Sequence, residues 1–171
     1  MRERRTARVV LLDPDNRVLL LKGRLPSAPD GPSFWFTAGG GLEEGESMLD
    51  AAAREVLEET GFADVALGPA LWRDEVVLAD IEGEERLFRQ TYILGRTAGG
   101  PISRDGWQDY EHDLTDDARW WTMDEIVAAE ETIYPIGFAE LLAETLAGRI
   151  AAEPLLIATP DGPVSPPPKV P

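Results

Sequence analysis

The stretch GGLEEGESMLDAAAREVLEETGF at residues 40–62 has the pattern of a capped, acidic helix. Ser47 with Asp50 three residues on fits an N-terminal cap, Ala51–Ala53 favour helix, and Gly61 stands where a helix stops. The spacing predicts a helix over Ser47–Thr60 with Met48, Leu49, Ala52, Val56 and Leu57 as its apolar face. Positions three and four apart share a helical face, so Glu55, Glu58 and Glu59 form one carboxylate cluster. Glu55 and Glu59 are a like-charged i, i+4 pair, which costs about 0.2–0.5 kcal/mol when bare. From Gly41 to Phe62, seven acids (Glu43, Glu44, Glu46, Asp50, Glu55, Glu58, Glu59) stand against one base, Arg54. A hard divalent cation such as Mg²⁺ or Mn²⁺ would turn that repulsion into binding, and solvation of an acidic face would also relieve it. Helical spacing alone leaves both readings open.

The flanking residues add a resemblance. Gly40, Glu46, Arg54-Glu55, aliphatic Val56, Glu58-Glu59, Gly61 and apolar Phe62 stand at the defining spacings of the Nudix box. The chain is similar to bacterial, MutT-like Nudix domains from about residue 5 to residue 150, most strongly over Phe34–Phe62. One departure is Ala38, where many relatives have proline before the glycines, a difference expected to alter loop stiffness more than chemistry. The resemblance implies an α/β (α+β) fold with a mixed, curved sheet sandwiched between helices. It also implies Mg²⁺-dependent hydrolysis of a diphosphate linkage, with Mn²⁺ able to substitute. On that basis Glu58 and Glu59 are the principal metal ligands, and Glu55 is a third ligand or the base that activates water. The Gly39 carbonyl completes the ion's shell, and Gly40 allows close approach. Arg54 orients the carboxylates and Glu46 braces the loop against the helix. A further acid is expected from the segment Trp107–His112, with Glu111 the first choice and Asp109 behind it.

Working outward, Thr6–Leu12 reads as a buried strand, Asp13–Asn16 as a turn and Arg17–Lys22 as a second strand. Phe34–Phe36 is a short strand entering the glycines. Leu71–Ala79 and Arg86–Gly95 form a hairpin around Asp80–Glu84, and Thr97–Asp117 reads as a long polar loop. Arg119–Trp121 is a short strand. Thr122 with Glu125 opens a helix to about Ala129, and Pro135–Ile150 reads as a final amphipathic helix that covers the sheet or meets a partner subunit. Residues 1–159 are expected to be one domain, followed by a proline-rich tail over Pro160–Pro171.

Composition narrows the function. The chain has 171 residues, no cysteine and a formal net charge of −16. Cysteine nucleophiles, thiolate metal sites and disulfides are excluded, and isoprenoid-diphosphate isomerisation, whose enzymes on this fold rely on a cysteine, is disfavoured. The acidic surface argues against a nucleic-acid binder, and no stretch reads as an export signal or membrane span, leaving the cytoplasm as the expected compartment. The expected partner is a small nucleoside diphosphate derivative, bound by a monomer or homodimer. Trp35, Trp72, Trp107 and Tyr110 are candidates to stack a base, and Arg73, Arg86 and Arg89 to hold phosphates, with Trp35, Arg73 and Arg89 preferred. Oxidised-nucleotide triphosphate hydrolysis is the alternative substrate reading. A non-catalytic ligand-sensing domain is the alternative role.

Overall fold

The computed structural model describes residues 1–25, 27–79 and 82–157. The tail expected over Pro160–Pro171 lies outside them, as do Asp80 and Ile81 of the expected turn and the side chain of Tyr110. Seven strands form one mixed sheet: β1 (Arg2–Leu12), β2 (Val18–Gly23), β3 (Phe34–Gly41), β4 (Ala66–Ala79), β5 (Glu85–Arg96), β6 (Thr115–Trp121) and β7 (Leu155–Leu156). Their order is β6-β2-β3-β1-β5-β4-β7. β1 pairs in parallel with β5 along its whole length, while β4 and β5 form the expected antiparallel hairpin.

Alternation along β1 sets the two faces of the sheet. Ala7, Val9 and Leu11 pack under α1 (Met48–Thr60) with Ala51, Ala52 and Val56. Val10 and Leu12 point the other way, against Ile126 of α3 (Met123–Ala128) and Phe138 and Leu142 of α4 (Phe138–Leu146). The sheet is therefore sandwiched between helices, and α4 covers it. Among the described residues no helix is long and apolar enough to cross a membrane.

Several expectations change in detail. β1 begins at Arg2, because the pairing with β5 carries the arginine-rich start of the chain along with it. β3 runs through Gly39–Gly41, paired with Thr6–Arg8, so the glycines are strand and not loop. The segment Thr97–Asp117 contains α2 (Asp109–Leu114) and the start of β6. The final helix is shorter, Phe138–Leu146. Leu49 and Leu57 of α1 are 52% and 48% exposed and do not belong to its buried face.

Candidate active site

The buried face of α1 is Ala51, Ala52, Glu55, Val56, Glu59 and Thr60. The Ser47 hydroxyl accepts from Asp50 N–H at 3.1 Å to start the helix. Gly61, at φ 82°, ends it by donating to the Leu57 carbonyl. Glycine suits this left-handed C-terminal position because it has no Cβ to strain. Packing of Ala51, Ala52 and Val56 against the sheet fixes the rotation that turns Glu55 (1% exposed) and Glu59 (5% exposed) toward β3.

Burying carboxylates is costly unless each is bonded, and two groups supply bonds here. Arg54 donates to Glu46 from Nε (2.7 Å) and Nη2 (2.8 Å), and to Glu55 from Nη1 (2.9 Å). Its Nη1 also lies 3.5 Å from Glu58, and its Nη2 reaches the Gly41 carbonyl at 3.0 Å. The Glu46 carboxylate accepts from Glu43 N–H at 2.9 Å, tying the loop to the helix. Hydrogen bonding to Arg54 holds the Glu46 carboxyl below its ordinary range and, against the cost of burial, raises the guanidinium above its own. The second group is the strand itself, whose Gly39 N–H donates to Glu59 Oε2 at 2.8 Å.

The glycines make this approach possible. A Cβ on Gly40 would occupy the position of the Glu55 carboxylate, and one on Gly39, at φ 141°, would collide with the Ala7 carbonyl. The space against Gly40 is thus lined by hard oxygen donors, and Arg54 lies within 4 Å of four acids, Glu43, Glu46, Glu55 and Glu58. This donor set and surplus negative charge fit Mg²⁺ or Mn²⁺. Among the described residues no three acids or histidines converge into a ready-made cage. Arg54 and Gly39 hold the carboxylates instead.

A second polar network grips the same residue, Gly39, from the opposite face. Arg8 Nη1 lies 3.4 Å from the Gly39 carbonyl, and its Nε donates to Gln90 at 2.9 Å. Gln90 in turn donates to Asp74 at 2.8 Å, and the Tyr92 hydroxyl donates to Asp74 at 3.1 Å. Burial pushes the Asp74 carboxyl up, against the pull of these bonds and of the Arg8 charge. Sequence reasoning missed this network, although a charged residue inside the apolar run Ala7–Leu12 was the signal for it.

Glu111 is buried (7% exposed), whereas Asp109 is exposed. The Glu111 carboxylate accepts from Gln108 N–H at 2.7 Å, capping α2. The segment before it is clamped to the end of α1. The Trp107 indole donates to the Glu59 carbonyl at 2.7 Å, and Ser103 N–H donates to Thr60 at 2.9 Å. His112 is exposed, its ring 5.4 Å from that of Trp107.

The expected substrate contacts are not gathered at the carboxylates. Trp35 is a core residue, edge-on to Trp121 at 4.9 Å on the face away from α1, which corrects its reading as a stacking platform. Trp72 is core as well. Arg73 and Arg89 do come together, with Arg5, in a cleft of about 420 Å³ near the start of α1. None of Glu55, Glu58 or Glu59 lines that cleft, and Arg89 already faces Glu3 at 3.3 Å and Glu75 at 3.5 Å.

Residues 2–142 match the NUDIX domain. The chain belongs to the Nudix family. It is 48% identical over 53 residues to the m7GpppN-mRNA hydrolase NUDT17 of Danio rerio, which covers 31% of this chain and 18% of that protein. It is also 48% identical over 59 residues to an RNA pyrophosphohydrolase of Caulobacter vibrioides, covering 34% of this chain and 33% of that one. The chain thus spans at most about a third of either relative. Among solved structures, the MutT protein of Methanosarcina mazei Go1 superposes with a TM-score of 0.62 at 17% identity, covering 86% of this chain and 96% of that one. At that identity the likeness is one of fold.

Proposed function

We propose that this chain hydrolyses a diphosphate linkage in a small nucleoside-diphosphate-like molecule with the help of Mg²⁺, which Mn²⁺ can replace. The observation that carries the reading is the burial of Glu55 and Glu59 against Gly39–Gly40, with Arg54 bonded to the first and the Gly39 amide to the second. Glu58, Glu59 and the Gly39 carbonyl would hold the ion. When bound, the ion supplies Lewis-acid neutralisation of phosphate charge and makes the attacking water more acidic. Arg54 keeps the carboxylates oriented and limits their mutual repulsion. Glu55, shielded from solvent, takes the proton from water. Glu111 is a second acid for the same task, carried to the end of α1 by the Trp107 anchor. No covalent intermediate is needed, in keeping with the absence of cysteine. The compartment proposed for this activity is the cytoplasm.

The test is a hydrolysis screen with Mg²⁺ and with Mn²⁺ over nucleoside triphosphates, ADP-ribose, nucleotide sugars, dinucleoside polyphosphates and coenzyme A, analysed by product mass. At least one should be cleaved by the wild type, and Glu59→Gln should be nearly inactive. Glutamine keeps an oxygen to accept from Gly39 N–H, so the variant removes charge and leaves the strand contact. A wild type that cleaves nothing with either ion, or a fully active Glu59→Gln, would defeat the reading.

A further inference from the structure

Pairing of β2 with β3 ends at Leu20 and Thr37, so among the described residues Ala38–Gly41 have a strand partner only in β1. Within that half-supported stretch Gly39 stands at φ 141°, a conformation that glycine adopts and ordinary strand residues do not. The ladder alone therefore does not fix its backbone groups, and side chains hold both of them. Gly39 N–H donates to Glu59 Oε2 at 2.8 Å, while the Gly39 carbonyl accepts from Arg8 Nη1 at 3.4 Å.

Arg8 is itself held. Its Nε donates to Gln90 Oε1 at 2.9 Å, and Gln90 Nε2 donates to Asp74 Oδ1 at 2.8 Å. These bonds fix the Gln90 amide end to end, because a flipped amide would set donor against donor and acceptor against acceptor. The Tyr92 hydroxyl donates to Asp74 Oδ2 at 3.1 Å and steadies the far end. The chain of bonds crosses three neighbouring strands, with Arg8 the register partner of Tyr92 and Gln90 that of Asp74. Arg8, Gln90 and Asp74 are each 2% exposed, so none of them is placed to touch a substrate. Val10 and Leu12, on the same face of β1, are core. Burying charges beside them costs desolvation energy that apolar side chains of similar size would avoid, which points to a role in geometry and not in packing.

We propose that Gln90 is a positioning residue for the metal site: it holds Arg8 against the Gly39 carbonyl and so sets the affinity of that site for the divalent ion. The proposal rests on the hydrolase reading, in which the Gly39 carbonyl helps to hold the ion. A carbonyl oxygen has two lone pairs, so a bond from Arg8 leaves one for a cation. Groups that orient a metal's ligands without touching the metal typically change its affinity about 10–100-fold when they are replaced.

Mn²⁺ binding in the absence of substrate, with the free ion counted by electron paramagnetic resonance, reads the site without turnover. Gln90→Met keeps the length of the side chain and removes both bonds, and should raise the Kd for Mn²⁺ about tenfold or more. Arg8→Lys keeps the positive charge but loses the fork that reaches Gln90 and Gly39 together, and should weaken binding to the same degree. It carries the test if Gln90→Met fails to fold. Leu142→Ala, which lowers stability without touching this chain of bonds, should bind Mn²⁺ within twofold of the wild type. Wild-type affinity in either folded variant overturns the proposal, and so does an equal loss in Leu142→Ala, since affinity would then merely follow stability. In both cases the hydrolase reading stands. A wild type that holds no Mn²⁺ would defeat that reading and the proposal together.

Discussion

Helices α1 and α4 cover opposite faces of one sheet, and they do so by different rules. α4 is conventional: Phe138 and Leu142 go into the core, and Glu144 faces outward to Arg149. α1 buries Ala51, Ala52 and Val56, but it also buries Glu55 and Glu59 while leaving Leu49 and Leu57 half-exposed. The second arrangement costs desolvation energy that leucines in the same places would not. It is tolerated because Arg54 and the Gly39 amide bond the carboxylates. A helix that breaks the apolar-inside pattern, beside one that keeps it, points to the element shaped by function and not by packing.

Substitutions can break this contrast. The largest effect is expected from Glu59→Gln, with kcat lowered about a thousandfold, or roughly 4 kcal/mol of barrier, while the melting temperature stays or rises. A large drop in melting temperature with kcat preserved would make Glu59 a structural residue. Leu142→Ala in α4 should do the reverse. Denaturant unfolding should register a loss of about 3 kcal/mol, with kcat of the folded protein within twofold at 25 °C. Next comes Glu111→Gln, for which steady-state assays should give a kcat at least tenfold lower. An unchanged rate would reduce Glu111 to a cap of α2 and move the second acid to Asp109.

The smallest effect concerns pH. Because Glu46 has a folded pKa below its unfolded one, its contribution to stability is present above about 4.3, the ordinary glutamate value, and is lost as pH falls through the folded pKa. Thermal melts below about pH 4.3 should therefore fall more steeply for the wild type than for Glu46→Gln. Parallel curves would mean that the bond to Arg54 adds nothing to folding.

What was legible in the sequence was whatever short-range chemistry dictates. Ser47 and Gly61 marked the ends of α1 because caps are local, and the Thr122–Glu125 box marked the start of α3 in the same way. The buried face of α1 was misjudged at Leu49 and Leu57, because a hydrophobicity pattern cannot say that carboxylates will take the inner positions. The strand was read only as far as Phe36, since glycine disfavours strands in general; here the close approach of Glu55 and Arg4 requires glycine within it. Trp35 looked like a platform until Trp121 covered it from a strand more than eighty residues later in the chain.

The double grip on Gly39 has a kinetic side. Its carbonyl is approached by Arg8, 31 residues away, and Arg8 is held by Gln90, 82 residues away. Loops of that length close slowly, and parallel pairing such as β1 with β5 forms late in folding. A partly folded chain can therefore carry a finished α1, with its caps and its acids in place, and still lack the strand that α1 works against. Competence for catalysis arrives with the last long-range pairing, so recovery of activity during refolding is a clock for closure of the sheet.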